Sequence, residues 1–494
     1  MPLRLFNTLS GKIEDFVPLQ DRAVRMYACG PTVYDYGHIG NFRTFVAVDV
    51  LHRFLRQDGY QLRHVMNITD VDDKIIRNSA KAGVSVREYT RKYEQAFLED
   101  IDTLSIERPE LVRATDNIPQ MGHFIAQLEK KGYAYRAEDG SYYFRIAKFP
   151  NYGKLSKKDF SGMAVGARVD VDEYDKDNAR DFALWKAPKP GEASWETEIG
   201  PGRPGWHIEC SVMSTMLLGP SFDLHAGGED LVFPHHENEI AQSEAETGQP
   251  FVRYWFHVRF LLVEGEKMSK SLGNFYTLRD LVLKGHKPSS IRFLLASGHY
   301  RTQLNFTFDA LKQAANSVER LRNFAARLNT NRYPQGPEGA VGKLARETMD
   351  KMRAGLEDDL NTPQALGALF EMVRQANAAA DSGQVTSGDI PQLQQALGQF
   401  EEVFAVLRDH DGARMRRILD WAKSEGKLEQ AAQELVEAAG SNGLPDEQVE
   451  SLVAEHERAR KARDFAKSDA IRAQLAQAGI MVENTKQGVR WKRK

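Results

Sequence analysis

From residue 21 to residue 82 the chain alternates apolar runs with amphipathic stretches, and this rhythm constrains the fold more than any other feature. "AVRMYACG" is rich in β-formers and reads as a buried strand. "FRTFVAVDVLHRFLRQDGY" carries apolar residues at helical spacing and stops at Asp58-Gly59, a good helix end. "QLRHVMNITD" is a second strand running into polar residues, and "VDDKIIRNSAKAG" opens a second helix. Strand–helix–strand–helix in this order predicts an α/β fold, a Rossmann-like doubly wound parallel sheet. Such sheets bind ligands at the carboxyl ends of their strands, where Cys29, Gly30, Thr69 and Asp70 fall.

The rest of the chain divides by composition. Residues 1–132 form the first half of the nucleotide-binding domain, and its later helices are "VSVREYTRKYEQAFLEDIDTLSI" and "NIPQMGHFIAQLEKKGYAY". Residues 133–204 read as a β-rich insertion: a hairpin around Asp139-Gly140, the alternating "GARVDVDEYDK", then glycine- and proline-rich sequence. The sheet resumes over 205–265, with "FDLHAGGEDL" as a strand, "HHENEIAQSEAET" as a helix and "WFHVRFLLVEG" as a strand. Residues 266–312 hold a polar loop and the start of a helical region. Residues 313–408 read as antiparallel helices and 411–494 as a helical C-terminal domain. No internal repeat is visible.

Composition excludes some classes. No stretch approaches the roughly 20 apolar residues of a membrane span, and the N-terminus has no long apolar core of a secretory signal. The expected location is the cytoplasm. A net charge of −3 leaves nucleic-acid binding to local patches.

Two segments look built for phosphate. "YACGPTVYDYGHIGN" runs from a strand through a tight loop to a helix opening near His38, with Gly40 and Asn41 in its first turn. "VEGEKMSKSLGN" runs from a strand through Glu264-Gly265-Glu266 to Lys267, Ser269, Lys270 and Ser271 in a flexible polar loop. Alone, each has a plain reading: a helix start with a tolerated glycine, and a solvated basic turn. Together, in this order and over two hundred residues apart, they are much harder to get by chance.

The only cysteines are Cys29 and Cys210. Buried inert thiols are the plain alternative. His235 and Glu239, four apart, share a helical face in "HHENE". Two thiolates, an imidazole and a carboxylate make a sensible zinc set; His236 and Glu237 compete for the same role, and the helical face favours His235 with Glu239 while His236, three from Glu239, stays open. Zinc favours sulfur over a hydroxyl oxygen as a further ligand. A zinc at the strand ends would therefore separate cysteine from serine, a discrimination that shape alone achieves poorly. Trp206 reads as half core and half pocket wall, and His207 as a structural or orienting histidine. Gly227 and Gly228, beside His225, permit close backbone approach.

With these segments, "GWHIECS" and "FPHHENEIAQS" all in order, the chain resembles the cysteinyl-tRNA synthetases, a class I aminoacyl-tRNA synthetase family, over nearly its whole length. The resemblance implies ATP-dependent activation of L-cysteine to cysteinyl-adenylate and transfer to the 3′-adenosine of tRNA(Cys), usually first at the 2′-hydroxyl. It implies one zinc per chain on Cys29, Cys210, His235 and Glu239, with Mg²⁺ accompanying ATP. His38, Asn41, Lys267 and Lys270 become the catalytic set, and Gly40, Gly227 and Ser269 join them at ATP. Thr69 and Trp206 fall in the cysteine pocket. The resemblance also leans to a monomer. In one departure, Asn41 stands where the family's signature usually has a second histidine. An amino-sugar ligase of the mycothiol type shares the motifs but lacks the C-terminal region.

That region is basic from Arg458 to Lys494, with Arg460, Lys461, Arg463, Lys467, Arg472, Lys486, Arg490, Lys492 and Arg493 between them. A solvated charged tail is the plain reading. Trp491 among these residues suits base stacking. The resemblance makes this the anticodon-binding domain, with Arg460, Asp469 and Trp491 as candidate tRNA contacts.

Overall fold

The computed structural model describes residues 2–158, 181–433, 435–436, 446–485 and 488–493. The expected strand "GARVDVDEYDK" lies outside the described residues, as do Lys486 and Lys494.

Five parallel strands form the central sheet: β1 (Ala23–Ala28), β2 (Gln61–Ile68), β3 (Glu110–Arg113), β4 (Phe222–Gly228) and β5 (Val252–Val258). Their spatial order is β5-β4-β1-β2-β3. The order reverses between β1 and β4, and that crevice is where doubly wound sheets bind ligands. Sequence reading missed β3, whose four residues "ELVR" are too few to display a period. It also fused two strands. "WFHVRFLLVEG" contains the end of β5 and a separate strand, Leu261–Val263, which pairs with Glu266–Lys267 and Leu304–Phe306.

Side-chain parity along β1 decides which residues meet. Met26 and Ala28 point to the face covered by α1 (Ile39–Gln57). Tyr27 and Cys29 point to the opposite face, among side chains of α2 (Trp206–Leu218) and α3 (Glu237–Thr247). Cys29 thereby shares a layer with Cys210. Residues 134–136, 142–144, 182–186 and 203–204 form an antiparallel sheet of four strands outside the central one.

The helical region after residue 278 is fused to the central sheet. Buried Arg292 donates to Asp49 of α1 at 2.6 Å, to the Leu104 carbonyl at 3.0 Å and to the Phe404 carbonyl at 2.6 Å. A buried guanidinium needs such partners, and here they come from three segments. Within 411–494 the packing is divided. Helix Asp411–Ser424 gives Ile418, Leu419 and Ala422 to the large core, whereas Val449, Val453, Ile471, Leu475, Ile480 and Val482 make a small core of their own. That end is also not wholly helical, because Ile480–Thr485 and Gly488–Arg493 pair as a terminal hairpin. No described helix is long and apolar enough to cross a membrane.

Candidate active site

His38 is the N-cap of α1. Its Nδ1 accepts the Asn41 backbone N–H at 3.1 Å, while Asn41 Oδ1 accepts the His38 backbone N–H at 3.1 Å. This reciprocal pair is a capping box with asparagine in the place of the usual glutamate or glutamine. Burial pushes His38 down to about 4, so the ring is neutral at pH 7. A neutral imidazole accepting at Nδ1 carries its proton on Nε2. Gly40 has a steric reason: a Cβ there would lie 2.9 Å from the His38 ring and 3.3 Å from Met268 Cε.

The second segment lies against the first. Ile39 N donates to the Tyr276 carbonyl at 3.0 Å, and His38 packs edge-on against Phe275 at 5.2 Å. Lys267 is paired with Leu262 in a short ladder. Asn274 ties the loop into a ring, accepting from Ser269 N at 2.8 Å and donating to the Lys267 carbonyl at 3.2 Å. Ser269 and Ser271 hydroxyls meet at 3.1 Å. The exposed Lys270 ammonium reaches Asp35 at 2.9 Å, and that hydrogen bond raises its pKa. Sequence reading missed Asp35 and Asn274, although both lie inside the quoted segments.

The metal candidates converge from three elements. Cys29 follows β1, Cys210 is on α2, and Glu239 is in the first turn of α3. That helix begins at Glu237, so His235 precedes it instead of sharing its regular turns. All four residues are buried, and their ligand atoms lie within 4.8 Å of one another. Cys29 Sγ is 4.0 Å from Cys210 Sγ and 3.8 Å from Glu239 Oε1, and His235 Nε2 is 3.0 Å from Glu239 Oε1. Tetrahedral zinc with about 2.3 Å bonds to sulfur separates two thiolates by about 3.8 Å, so the set fits the ion.

The electrostatics point the same way. Burial, Cys210 and Glu239 push the Cys29 thiol well up. Burial opposes ionisation of Cys210, but the Cys29 hydrogen bond and His235 bring it down to about 6. Burial works against both members of the His235–Glu239 pair. Even so, Glu239 and Cys210 lift His235 to about 10, while His225 and His235 hold Glu239 at about 2. Acidic groups crowded out of water at one point are the usual mark of a cation site.

A second overlapping set is also present: Cys29, His225, His236 and Glu239. His236 Nε2 lies 3.2 Å from Cys29 Sγ, and its Nδ1 meets His257 Nε2 at 2.7 Å. Glu237 drops out as a ligand, because its carboxylate accepts the backbone N–H groups of Gly153, Leu155 and Ser156. Trp206 is 43% exposed and stacks on His235 at 4.3 Å. Thr69 is buried beside this layer, donating to Glu209 at 2.8 Å and accepting from Asn67 at 3.1 Å. Gly227 backs onto His236, which a Cβ would approach to 2.8 Å. Its need for glycine is therefore met by packing.

The tail candidates do not form one cluster with these groups. Arg460 and Asp469 are exposed on two helices, Asp446–Lys461 and Phe465–Gln477, that pack together. Trp491 faces Val482 across the hairpin and packs partly buried against the small core.

Three family models match the chain. They are "tRNA synthetases class I (C) catalytic domain" over residues 15–316, "DALR domain" over 351–408 and "Cysteinyl-tRNA ligase anticodon binding domain" over 442–491. A cysteine–tRNA ligase of Koribacter versatilis is 66% identical over the full length of both chains. One of Solibacter usitatus is 52% identical over the same span. Among solved structures, a methionyl-tRNA synthetase of Mycobacterium tuberculosis with methionyl-adenylate superposes with a TM-score of 0.54 at 16% identity. It covers 82% of this chain and 93% of that one, a likeness of fold.

Proposed function

The chain belongs to the cysteine–tRNA ligase family of class I aminoacyl-tRNA synthetases, and on that premise we propose how its residues divide the reaction. The enzyme joins L-cysteine to tRNA(Cys) at the expense of ATP, through cysteinyl-adenylate and release of pyrophosphate. The observation that carries the choice of amino acid is the buried set of two thiols, one imidazole and one carboxylate at the crevice between β1 and β4. An amino-sugar ligase would have no use for residues 442–491, which match an anticodon-binding model.

Cys29, Cys210, His235 and Glu239 would hold one zinc ion. A bound zinc would supply a Lewis acid able to accept a substrate sulfur as a fifth ligand, and so would favour a thiol over a hydroxyl. His235 is preferred to His236 because exposed Trp206 stacks on it, so that side of the cluster opens to the crevice. His236 is instead tied to His257 and lies 5.0 Å from the buried ring of Trp255. Trp206 and Thr69 wall the cysteine pocket.

Activation is attack of the cysteine carboxylate on the α-phosphorus, with no covalent enzyme intermediate, so the protein contributes position and charge stabilisation. Neutral His38 donates from Nε2 to phosphate oxygens at the N-terminus of α1, where the helix dipole assists. Gly40 leaves room for that ring, and Asn41 fixes the cap beneath it. Lys270 leaves Asp35 for the β- and γ-phosphates, joined by Lys267 and Ser269, with Gly227 at the nucleotide and Mg²⁺ on the triphosphate. Arg460, Asp469 and Trp491 belong to the tRNA-binding end. A cytoplasmic monomer completes the reading.

The test is amino-acid-dependent pyrophosphate exchange with cysteine and with serine, before and after chelation, alongside zinc content. Exchange should require cysteine, fall on chelation and return with zinc. His235→Ala should lose zinc, while His236→Ala retains most of it. Failure of exchange with cysteine in the presence of zinc overturns the assignment, and zinc loss confined to His236→Ala overturns the ligand choice.

A further inference from the structure

Trp421 lies on helix Asp411–Ser424, beyond the bundle, yet it touches the catalytic domain on both flanks of the lysine-bearing loop. On one flank its Nε1–H donates to the Tyr36 hydroxyl at 3.2 Å, with the two rings edge to face at 5.1 Å. Tyr36 is the neighbour of Asp35, which holds Lys270 at 2.9 Å. On the other flank the Arg279 guanidinium lies 4.5 Å from the centre of the Trp421 ring and 5.1 Å from that of Tyr36. Arg279 stands in helix Leu278–Leu283, which begins where that loop ends. It is buried and anchored to Asp100 at 2.8 Å, Glu99 at 2.9 Å and the Ala96 carbonyl at 3.1 Å. Lys427, just past the helix, lies 5.2 Å from the same indole centre, and Lys92 reaches across to Glu425 at 2.7 Å.

Packing alone would be served by leucine at position 421. What is present is directional: an N–H on a phenol oxygen and an aromatic face under two cations. The two flanks are also joined to each other, since Leu278 N donates to the Gly37 carbonyl and Ile39 N to the Tyr276 carbonyl. The C-terminal end of the loop, and Lys270 through Asp35, thus hang from a framework that Trp421 contacts from outside the catalytic domain.

We propose that Trp421 is a positioning residue for adenylate formation: by holding Tyr36 and Arg279 it sets where the loop presents Lys270 to ATP. The inference rests on the reading of Lys270 as an ATP contact. It makes the helix leading toward the anticodon-binding end part of the machinery that activates cysteine, before any tRNA is bound. Trp421 makes no contact with Cys29, Cys210, His235 or Glu239, so the cysteine side is predicted to be indifferent to it.

The experiment is cysteine-dependent pyrophosphate exchange without tRNA, on full-length protein normalised by active-site titration. Trp421→Ala, Trp421→Phe and Lys270→Ala are made singly and in combination. Trp421→Ala should raise the KM for ATP about fivefold to tenfold, the scale of one hydrogen bond and one cation–π contact, with the KM for cysteine unchanged. Trp421→Phe, which keeps a ring under the cations but has no N–H, should fall between Ala and wild type. In the Lys270→Ala background the Trp421 substitutions should add nothing. A loss confined to the number of active sites, or full additivity with Lys270→Ala, overturns the proposal. Impaired Lys270→Ala beside ordinary Trp421→Ala overturns the coupling alone. Ordinary activity in Lys270→Ala overturns the ATP-contact reading and this inference with it.

Discussion

Asn41 offers the sharpest test of the proposed ATP role of His38–Asn41, because the structure separates its two halves. The Asn41 backbone N–H holds His38 Nδ1, and the Asn41 side chain holds the His38 backbone N–H, each at 3.1 Å. Asn41→Ala removes the second bond and spares the first, so the imidazole keeps its orientation and its Nε2 proton. The loss is one side-chain cap interaction at a half-buried helix start, about 0.5–2 kcal/mol. If all of it reached the transition state, exchange would slow by about 2- to 30-fold. His38→Ala removes the donor itself, and a lost oxyanion-type donor costs about 100- to 1000-fold in kcat. Asn41→Asp separates cap from charge: it keeps the acceptor and suits the helix N-terminus, but brings a negative charge toward the triphosphate. Its melting temperature should match or exceed wild type while its exchange rate drops below that of Asn41→Ala. The assays are cysteine-dependent pyrophosphate exchange at saturating ATP and thermal unfolding of the same preparations. Damage from Asn41→Ala equal to that from His38→Ala would refute the reasoning, because the side chain would then be acting on the substrate and not on the cap.

Two further predictions follow from burial and from core boundaries. His64 is pushed down to about 3 by burial and then by His52. Its folded pKa therefore lies below the unfolded value of about 6.5, and its contribution is intact above that value and lost as pH falls toward 3. Between pH 6.5 and 5 this is about 2 kcal/mol, so the denaturation midpoint should drop over that interval and His64→Gln should flatten part of the drop; an unchanged slope in His64→Gln would count against it. Deleting residues 446–494 removes only the small core and should spare pyrophosphate exchange while abolishing tRNA charging. Deleting from residue 411 also takes Ile418, Leu419 and Trp421 away from the main body and should impair exchange as well; equal exchange by both truncations would show that helix Asp411–Ser424 is dispensable.

The candidate groups were visible in the sequence as residue types: His38 to Asn41 and Lys267 to Ser271 stand out at short spacing, and Cys29, Cys210, His235 and Glu239 are donors that the structure brings within 4.8 Å of one another. The parallel sheet was legible because buried strands and amphipathic helices have different periods. What stayed hidden depends on long-range geometry. The four-residue β3 shows no period, and the strands near Trp491 are held by pairing with each other. The helical face that favours His235 over His236 does not exist as such, because the helix starts at Glu237; what distinguishes the two rings is that one faces exposed Trp206 and its neighbour faces His257. The same holds for Asp35 and Trp421, ordinary in composition and informative only beside Lys270 and Arg279.

By itself, then, the sequence determined which candidate groups the chain carries and that Cys29 and Thr69 would follow strands. Tertiary structure alone decided which groups meet. The parity of β1 places Cys29 on the α2 and α3 face and not under α1, and the strand order places β4 beside β1. A one-residue shift of β1 would put the thiol in the opposite layer with its chemistry unchanged and its partners out of reach.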